Sequence, residues 1–227
     1  MCSASQDTWA QLFSQHHFAV HEDCPLRGKR ILICVCSHFD VQSAPDMWQS
    51  RRVLMHDKIN VDLRDRAHLL HLARVSGKHD GRNIKLLRAA LAAEYFDSLQ
   101  IEGILYRLCQ PCVGPDEFFG ITVTCQHGRH RSVSSSGILS FVLKFLGATV
   151  TVIGNTGLNE SPNRYRFCSC HCCCGVQFPA TSELEPVLEY ALEAFIKFLR
   201  AVPSNERDES FSRATYLFEC LDYRYCE

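Results

Sequence analysis

The sequence predicts an α/β fold: a three-layer-type domain with a largely parallel sheet and flanking helices, and extra helices at both termini. Two observations carry this expectation. Apolar or β-branched runs alternate with helical patterns from about residue 29 to 155, the alternation that builds parallel sheets. Three polar clusters, Ser37-His38, Asp62-Leu63-Arg64 and Cys125 to Ser132, each follow an apolar run. They therefore fall at the carboxyl ends of strands, where such sheets bind their ligands.

The elements follow in order. Residues 1–28 form an N-terminal extension with a short helix around Trp9, Leu12 and Phe13. The α/β domain spans 29–155. Ile31 to Cys36 reads as a first central strand and Ile59 to Leu63 as a second. Asn83 to Phe96 and Phe96 to Leu108 have helical composition, as one broken helix or two. Ile121 to Thr124 reads as a buried strand. Ser132 to Leu146 reads as a helix with Ile138, Phe141, Val142 and Phe145 on one face, and Gly147 suits its stop. Ala148 to Ile153 is a further strand. Residues 156–180 form a polar, cysteine-dense insertion, and 181–227 hold C-terminal helices. Of these, Glu183 to Leu199 is amphipathic, and Ser182 and Glu185 have capping-box spacing.

Bulk composition narrows the function classes. Hydrophobic residues make up 46% and charged residues 22% of the 227, ordinary for a globular domain. A formal net charge of -1 gives no global field to steer the chain onto nucleic acid or anionic membrane. No apolar stretch reaches the ~18 residues of a spanning helix. The start, Met1-Cys-Ser-Ala-Ser-Gln, lacks the basic and apolar regions of a secretory signal. The fourteen cysteines then read as reduced thiols or ligands in a cytoplasmic protein.

The functional candidate is Cys125-Gln126-His127-Gly128-Arg129-His130-Arg131-Ser132. A strand-to-helix loop with a glycine aims unpaired N–H groups at one point. The loop's cations suit that point to phosphate, with Arg131 as a bidentate clamp. Arg64 would assist, and Asp62 would orient Arg64 or take a ligand hydroxyl. His38 stands at the end of the first strand. Asp80 and Arg82 flank Gly81 in a turn, where an Asp commonly caps.

Two families resemble this loop. The pattern C-x-x-G-x-x-R-S is similar to the phosphate loop of the protein tyrosine phosphatases, which implies Cys125 as a thiolate nucleophile. That family's His before the Cys is Thr124 here, and upstream, where its general acid stands, are only Glu94 and Asp97 within a helical pattern. The second resemblance covers about residues 29–155. His130-Arg-Ser-Val133, Val61-Asp-Leu-Arg64-Asp65, His79-Asp-Gly-Arg-Asn83 and Gly147-Ala-Thr-Val-Thr-Val-Ile153 resemble, in the same order, elements of the RapZ C-terminal domain family. Members usually carry G-C-x-G-G-x-H-R-S-V; Gly128 keeps one glycine, while Thr124 and His127 replace the other two.

The RapZ resemblance implies a domain that binds a phosphorylated small molecule, a sugar phosphate or a nucleotide such as ATP. It makes Cys125 a small residue lining the pocket. It also makes RNA a partner to consider, although the C-terminus, Glu219-Cys-Leu-Asp-Tyr-Arg-Tyr-Cys-Glu227, carries no basic tail. The three function classes are thus phosphate-ligand sensing, cysteine-dependent phosphoester hydrolysis, and a metal-stabilised interaction module. The last rests on Cys168-Ser-Cys-His-Cys-Cys-Cys174. Cys168, Cys170, His171 and Cys172, with Cys109 and Cys112 as a C-x-x-C half-site, are candidate ligands for a structural zinc. The sequence assigns no other cofactor and no oligomeric state.

Overall fold

The computed structural model describes residues 26–38, 53–66, 69–91, 101–108, 118–154, 168 and 170–174. These residues form an α/β fold on a four-stranded sheet. Strands β1 (Arg30–Ser37), β2 (Val53–Asp62), β3 (Phe118–Cys125) and β4 (Thr149–Gly154) pair in the order β2-β3-β1-β4. Every pairing is parallel. Helices α1 (Leu69–Ala73), α2 (Ile84–Ala90), α3 (Ile101–Leu108), α4 (Arg131–Phe145) and the single turn α5 (His171–Cys174) complete the described elements.

Strand β1 is apolar on both faces, as a strand inside a parallel sheet requires. Along β1, Ile31, Ile33 and Val35 face one cluster, while Leu32, Cys34 and Cys36 face another. The first cluster also takes Ile121 and Val123 of β3, Leu86 and Ala90 of α2, Ile101 and Ile104 of α3, and Ile138, Phe141 and Val142 of α4. The topology explains why these helices share a face. The connections β2→β3 and β3→β4 advance in the same direction across the sheet, and right-handed crossovers then place both on one side. Strand β1 lies between β3 and β4. The chain leaves β1 toward one edge of the sheet and leaves β3 toward the other. The carboxyl ends of β1 and β3 therefore flank a topological switch point, the place where open α/β sheets generally bind ligands.

Strands β1, β3 and β4 start and end within three residues of the apolar runs that predict them. Strand β2 begins six positions before the predicted Ile59, with a register shift against β3 between Val53 and Lys58. The polar His56-Asp57-Lys58 stretch interrupts the apolar pattern and hides that start from a hydrophobicity reading. In the region that composition left as one helix or two, the described residues hold α2 and α3, and residues 92–100 between them lie outside the description. The helices expected within 1–25 and 175–227 lie outside the described residues. No helix among the described residues is long and apolar enough to cross a membrane.

Helix α4 differs from its amphipathic prediction. Arg131 through Leu143 are all buried, with Ser134, Ser135, Ser136 and Ser140 fully so. Small side chains on the second face let backbone approach, and the loop before α2 uses that room. Gly81 N–H donates to Arg129 O at 2.9 Å, and Ser134 Oγ donates to Gly81 O at 2.9 Å. Gly147, at φ 96, and the bond from Ala148 N to Leu143 O end the helix in the left-handed closure that glycine favours.

Gly81 is fixed by space. A Cβ there would stand 2.3 Å from His130 O and 2.6 Å from Ser134 N, both backbone atoms that no rotamer change can move. Gly81→Ala is expected to destabilise by about 1–3 kcal/mol or more, lowering Tm by several degrees at roughly 2–4 °C per kcal/mol for a chain of this size. Gly77→Ala, whose Cβ would meet only Leu70 Cδ1 at 3.6 Å, is the control and should leave Tm nearly unchanged. Equal melting of the two variants in a thermal scan would contradict the close packing.

Candidate anion site and thiol cluster

The loop after β3 turns back over the end of β1. Gly128, at φ 62, would place a Cβ 2.6 Å from Ser37 N, so this position needs glycine for both its conformation and its contact. The tight turn brings the backbone N–H groups of His127, Arg129 and Ser132 onto Cys125 Sγ, with Ser132 Oγ 3.3 Å from the sulfur. Burial pushes the Cys125 thiol up. The Ser132 hydroxyl and those three N–H groups pull it down, and their pull prevails, leaving it below an ordinary thiol. The position at the amino end of the 15-residue α4, whose first turn carries no acidic residue, favours negative charge in the same way. Cys34, buried on the opposite face, shows the contrast: its hydrogen bond with Cys36 and its burial both push its thiol far upward.

The second cluster, at the end of β2, converges on the first. Asp62 accepts from Arg64 Nε at 2.8 Å and pairs with Nη2 at 2.7 Å. These bonds hold the Asp62 carboxyl below its usual range. Arg64 Nη1 donates to His38 Nε2 at 3.0 Å. The expected meeting of His38, Asp62 and Arg64 is therefore present, with Asp62 orienting Arg64. Arg131 ties the clusters together. Its Nη1 donates to the carbonyls of Leu63, Arg64 and Arg66 at 2.6–2.7 Å. That nitrogen braces the exit of β2 against α4, and Arg64, at 39% exposure, is the guanidinium turned to solvent.

The remaining loop residues divide by direction. Gln126 and His127 are exposed. Arg129 Nη2 donates to Lys78 O, and His130 Nε2 donates to His79 O at 2.8 Å. These two side chains act as struts to the neighbouring loop, so the positive charge expected of them at the anion point is directed sideways.

That neighbouring loop, His79 to Asn83, carries a second site. Asp80 and Arg82 form an ion pair that is 0% and 1% exposed, with Nε–Oδ1 at 2.9 Å and Nη2–Oδ2 at 2.8 Å. The pair clasps the backbone of Cys168: Asp80 Oδ2 accepts its N–H and Arg82 Nη2 donates to its carbonyl, both at 2.8 Å. Asp80 caps its turn, its Oδ1 accepting from Arg82 N–H at 3.0 Å, while the helix that follows is capped by Asn83, whose side chain accepts from Lys85 N. His79 Nδ1 and the Sγ atoms of Cys168, Cys170 and Cys173 all lie within 4.8 Å of one another. His171 and Cys172 are exposed on the outer side of the same turn and do not join the group. Cys109 and Cys112 lie outside the described residues. Two residues that sequence reasoning missed, His79 and Cys173, thus complete a set for which it named Cys168 and Cys170.

The depressed Cys125 thiol generates a direct expectation. A lowered pKa means thiolate forms at lower pH, so alkylation of the Cys125 peptide, followed by mass spectrometry, should reach half-maximal rate below the ~8.5 of a free cysteine. Ser132→Ala removes a donor and should move that midpoint upward. A midpoint at or above the free value in the wild type would contradict the convergence of donors on the sulfur. Comparison of the chain with known protein families, curated proteins and solved structures finds no match, so its function is argued from the geometry.

Proposed function

We propose that the carboxyl edge of this sheet binds a phosphorylated small molecule, a sugar phosphate or nucleotide, as a sensing domain of the RapZ C-terminal type. One observation carries the reading: the His127, Arg129 and Ser132 N–H groups converge at the amino end of α4, beside the β1/β3 switch point. Backbone donors at a helix start suit an anion, and here they already turn toward one point, the Cys125 sulfur. Arg64, preset by Asp62 and His38, supplies the exposed guanidinium for phosphate oxygens. Gln126 and His127, both exposed, border the cradle and suit contacts to the rest of the ligand. Arg131 serves the site by fixing the Leu63–Arg66 backbone.

A second reading, cysteine-dependent phosphoester hydrolysis, is favoured by the Cys125 thiol alone. The thiolate would attack phosphorus as the ester P–O bond breaks, and the leaving oxygen would need a proton. Among the described residues, Asp62 is engaged with Arg64 and Asp80 with Arg82, so neither carboxylate is placed as that acid; Glu94 and Asp97 lie outside the described residues. Binding is therefore the reading put forward.

The test is thermal shift and calorimetry with inorganic phosphate, sugar phosphates, ATP and GTP on the full chain. A probe at 100 times its Kd stabilises by about 2.7 kcal/mol. Arg64→Ala removes an exposed side chain and should weaken that probe roughly tenfold or more, the effect of losing a charge-assisted bond. Cys125→Ser should retain affinity, and p-nitrophenyl phosphate should not turn over. Absence of stabilisation by every phosphate probe would overturn the reading. Turnover abolished by Cys125→Ser would establish the phosphatase in its place.

A further inference from the structure

Three thiols and one imidazole nitrogen crowd together beside the buried Asp80–Arg82 pair. Cys170 Sγ, Cys173 Sγ and Cys168 Sγ stand 3.4, 3.5 and 3.9 Å from the same His79 Nδ1. Hydrogen bonding does not account for this grouping, because an imidazole nitrogen with one lone pair accepts one such bond. Tetrahedral coordination does. With metal–sulfur bonds near 2.3 Å and a metal–nitrogen bond near 2.0–2.1 Å, every N···S edge of the tetrahedron is about 3.6 Å and every S···S edge about 3.8 Å. None of the three cysteines is in a disulfide.

The local backbone has the form of a metal knuckle. Cys170 and Cys173 are three apart on one turn, closed by Cys173 N–H donating to Cys170 O at 3.0 Å. That spacing puts both sulfurs on one face and leaves His171 and Cys172 on the other. The outer contacts are also in place. Asp80 and Arg82 hold the Cys168 peptide from both sides, and Asn83 Nδ2 approaches Cys173 Sγ at 4.0 Å. Each of the five residues His79-Asp-Gly-Arg-Asn83 thereby has a separate task around the cluster, Gly81 by seating the loop on α4.

We infer that His79, Cys168, Cys170 and Cys173 form a structural zinc site of Cys3His type. Thiolate-rich tetrahedral donors select zinc among the common divalent ions, and four protein ligands close the coordination shell. Binding displaces the thiol protons to solvent and leaves a neutral His79 donating through Nδ1. The metal joins the 168–174 segment to the loop that Arg129, His130 and Ser134 hold against the anion site. The inference stands on its own ligand geometry and does not depend on what the anion site binds.

The experiment is metal analysis of the full chain purified without chelator, followed by replacement with cobalt(II). One zinc per chain is expected from the wild type, His171→Ala and Cys172→Ser. His79→Ala and Cys170→Ser should each lose it. The cobalt(II) protein should show strong tetrahedral d–d bands with thiolate-to-metal charge transfer. This readout on the wild type reports the donor set even if a ligand variant fails to fold. A wild type that retains no metal and gives no cobalt spectrum would overturn the inference. So would a bound metal that survives His79→Ala but is lost in Cys172→Ser.

Discussion

The contact on which the rest depends is the seating of Gly81 against the first turn of α4. A hydrogen atom in place of a side chain lets Gly81 bond both the neighbouring loop and the helix, Gly81 N to Arg129 O and Ser134 Oγ to Gly81 O. The loop from β3 is already pressed onto β1 by Gly128. Its outward side is then set by the loop that precedes α2. Arg129 and His130 point away from the anion point because their partners, the carbonyls of Lys78 and His79, lie on that side. The Asp80–Arg82 pair is a consequence of the same seating. Buried ion pairs add little net stability over an apolar alternative, but loss of one partner strands a charge at a cost of about 3–5 kcal/mol. Their use here is directional: the pair presents one acceptor and one donor to a single peptide, that of Cys168.

Cysteine chemistry in the chain follows position rather than count. Cys34 and Cys36 lie inside the sheet, where the hydrogen bond with Cys36 and burial push the Cys34 thiol far upward. Cys125 is almost as buried, yet it ends its strand under a helix start, where N–H donors reverse the effect of burial. Cys168, Cys170 and Cys173 lie in the insertion and meet a histidine from the domain. Three environments give one residue type three characters.

Legibility in the sequence tracked how local each signal was. Strands β1, β3 and β4 and helix α4 are continuous apolar or periodic runs, so their positions could be read directly. Helix α1 has five residues, less than two turns, and leaves no periodicity to read. The loop from Cys125 to Ser132 could be placed because it is contiguous between a strand and a helix, and Asp62 and Arg64 because strand ends converge in parallel sheets. The side-chain directions were not: nothing in Arg131 itself says that its Nη1 braces three carbonyls. His79 lies 89 positions from Cys168, and a lone histidine in a Gly-containing turn carries no mark of a distant partner. Within the cysteine run, composition could not choose ligands. The helical turn chooses them, since residues i and i+3 share a face and those between do not.

The central claim is that the start of α4 cradles a phosphate group through the backbone. Amide chemical shifts of the labelled full chain, followed during titration with inorganic phosphate, test it most directly. The account predicts saturable shifts at His127, Arg129 and Ser132, with Arg64 Nε moving alongside them. Shifts confined to other surfaces, or none at saturating phosphate, would contradict it.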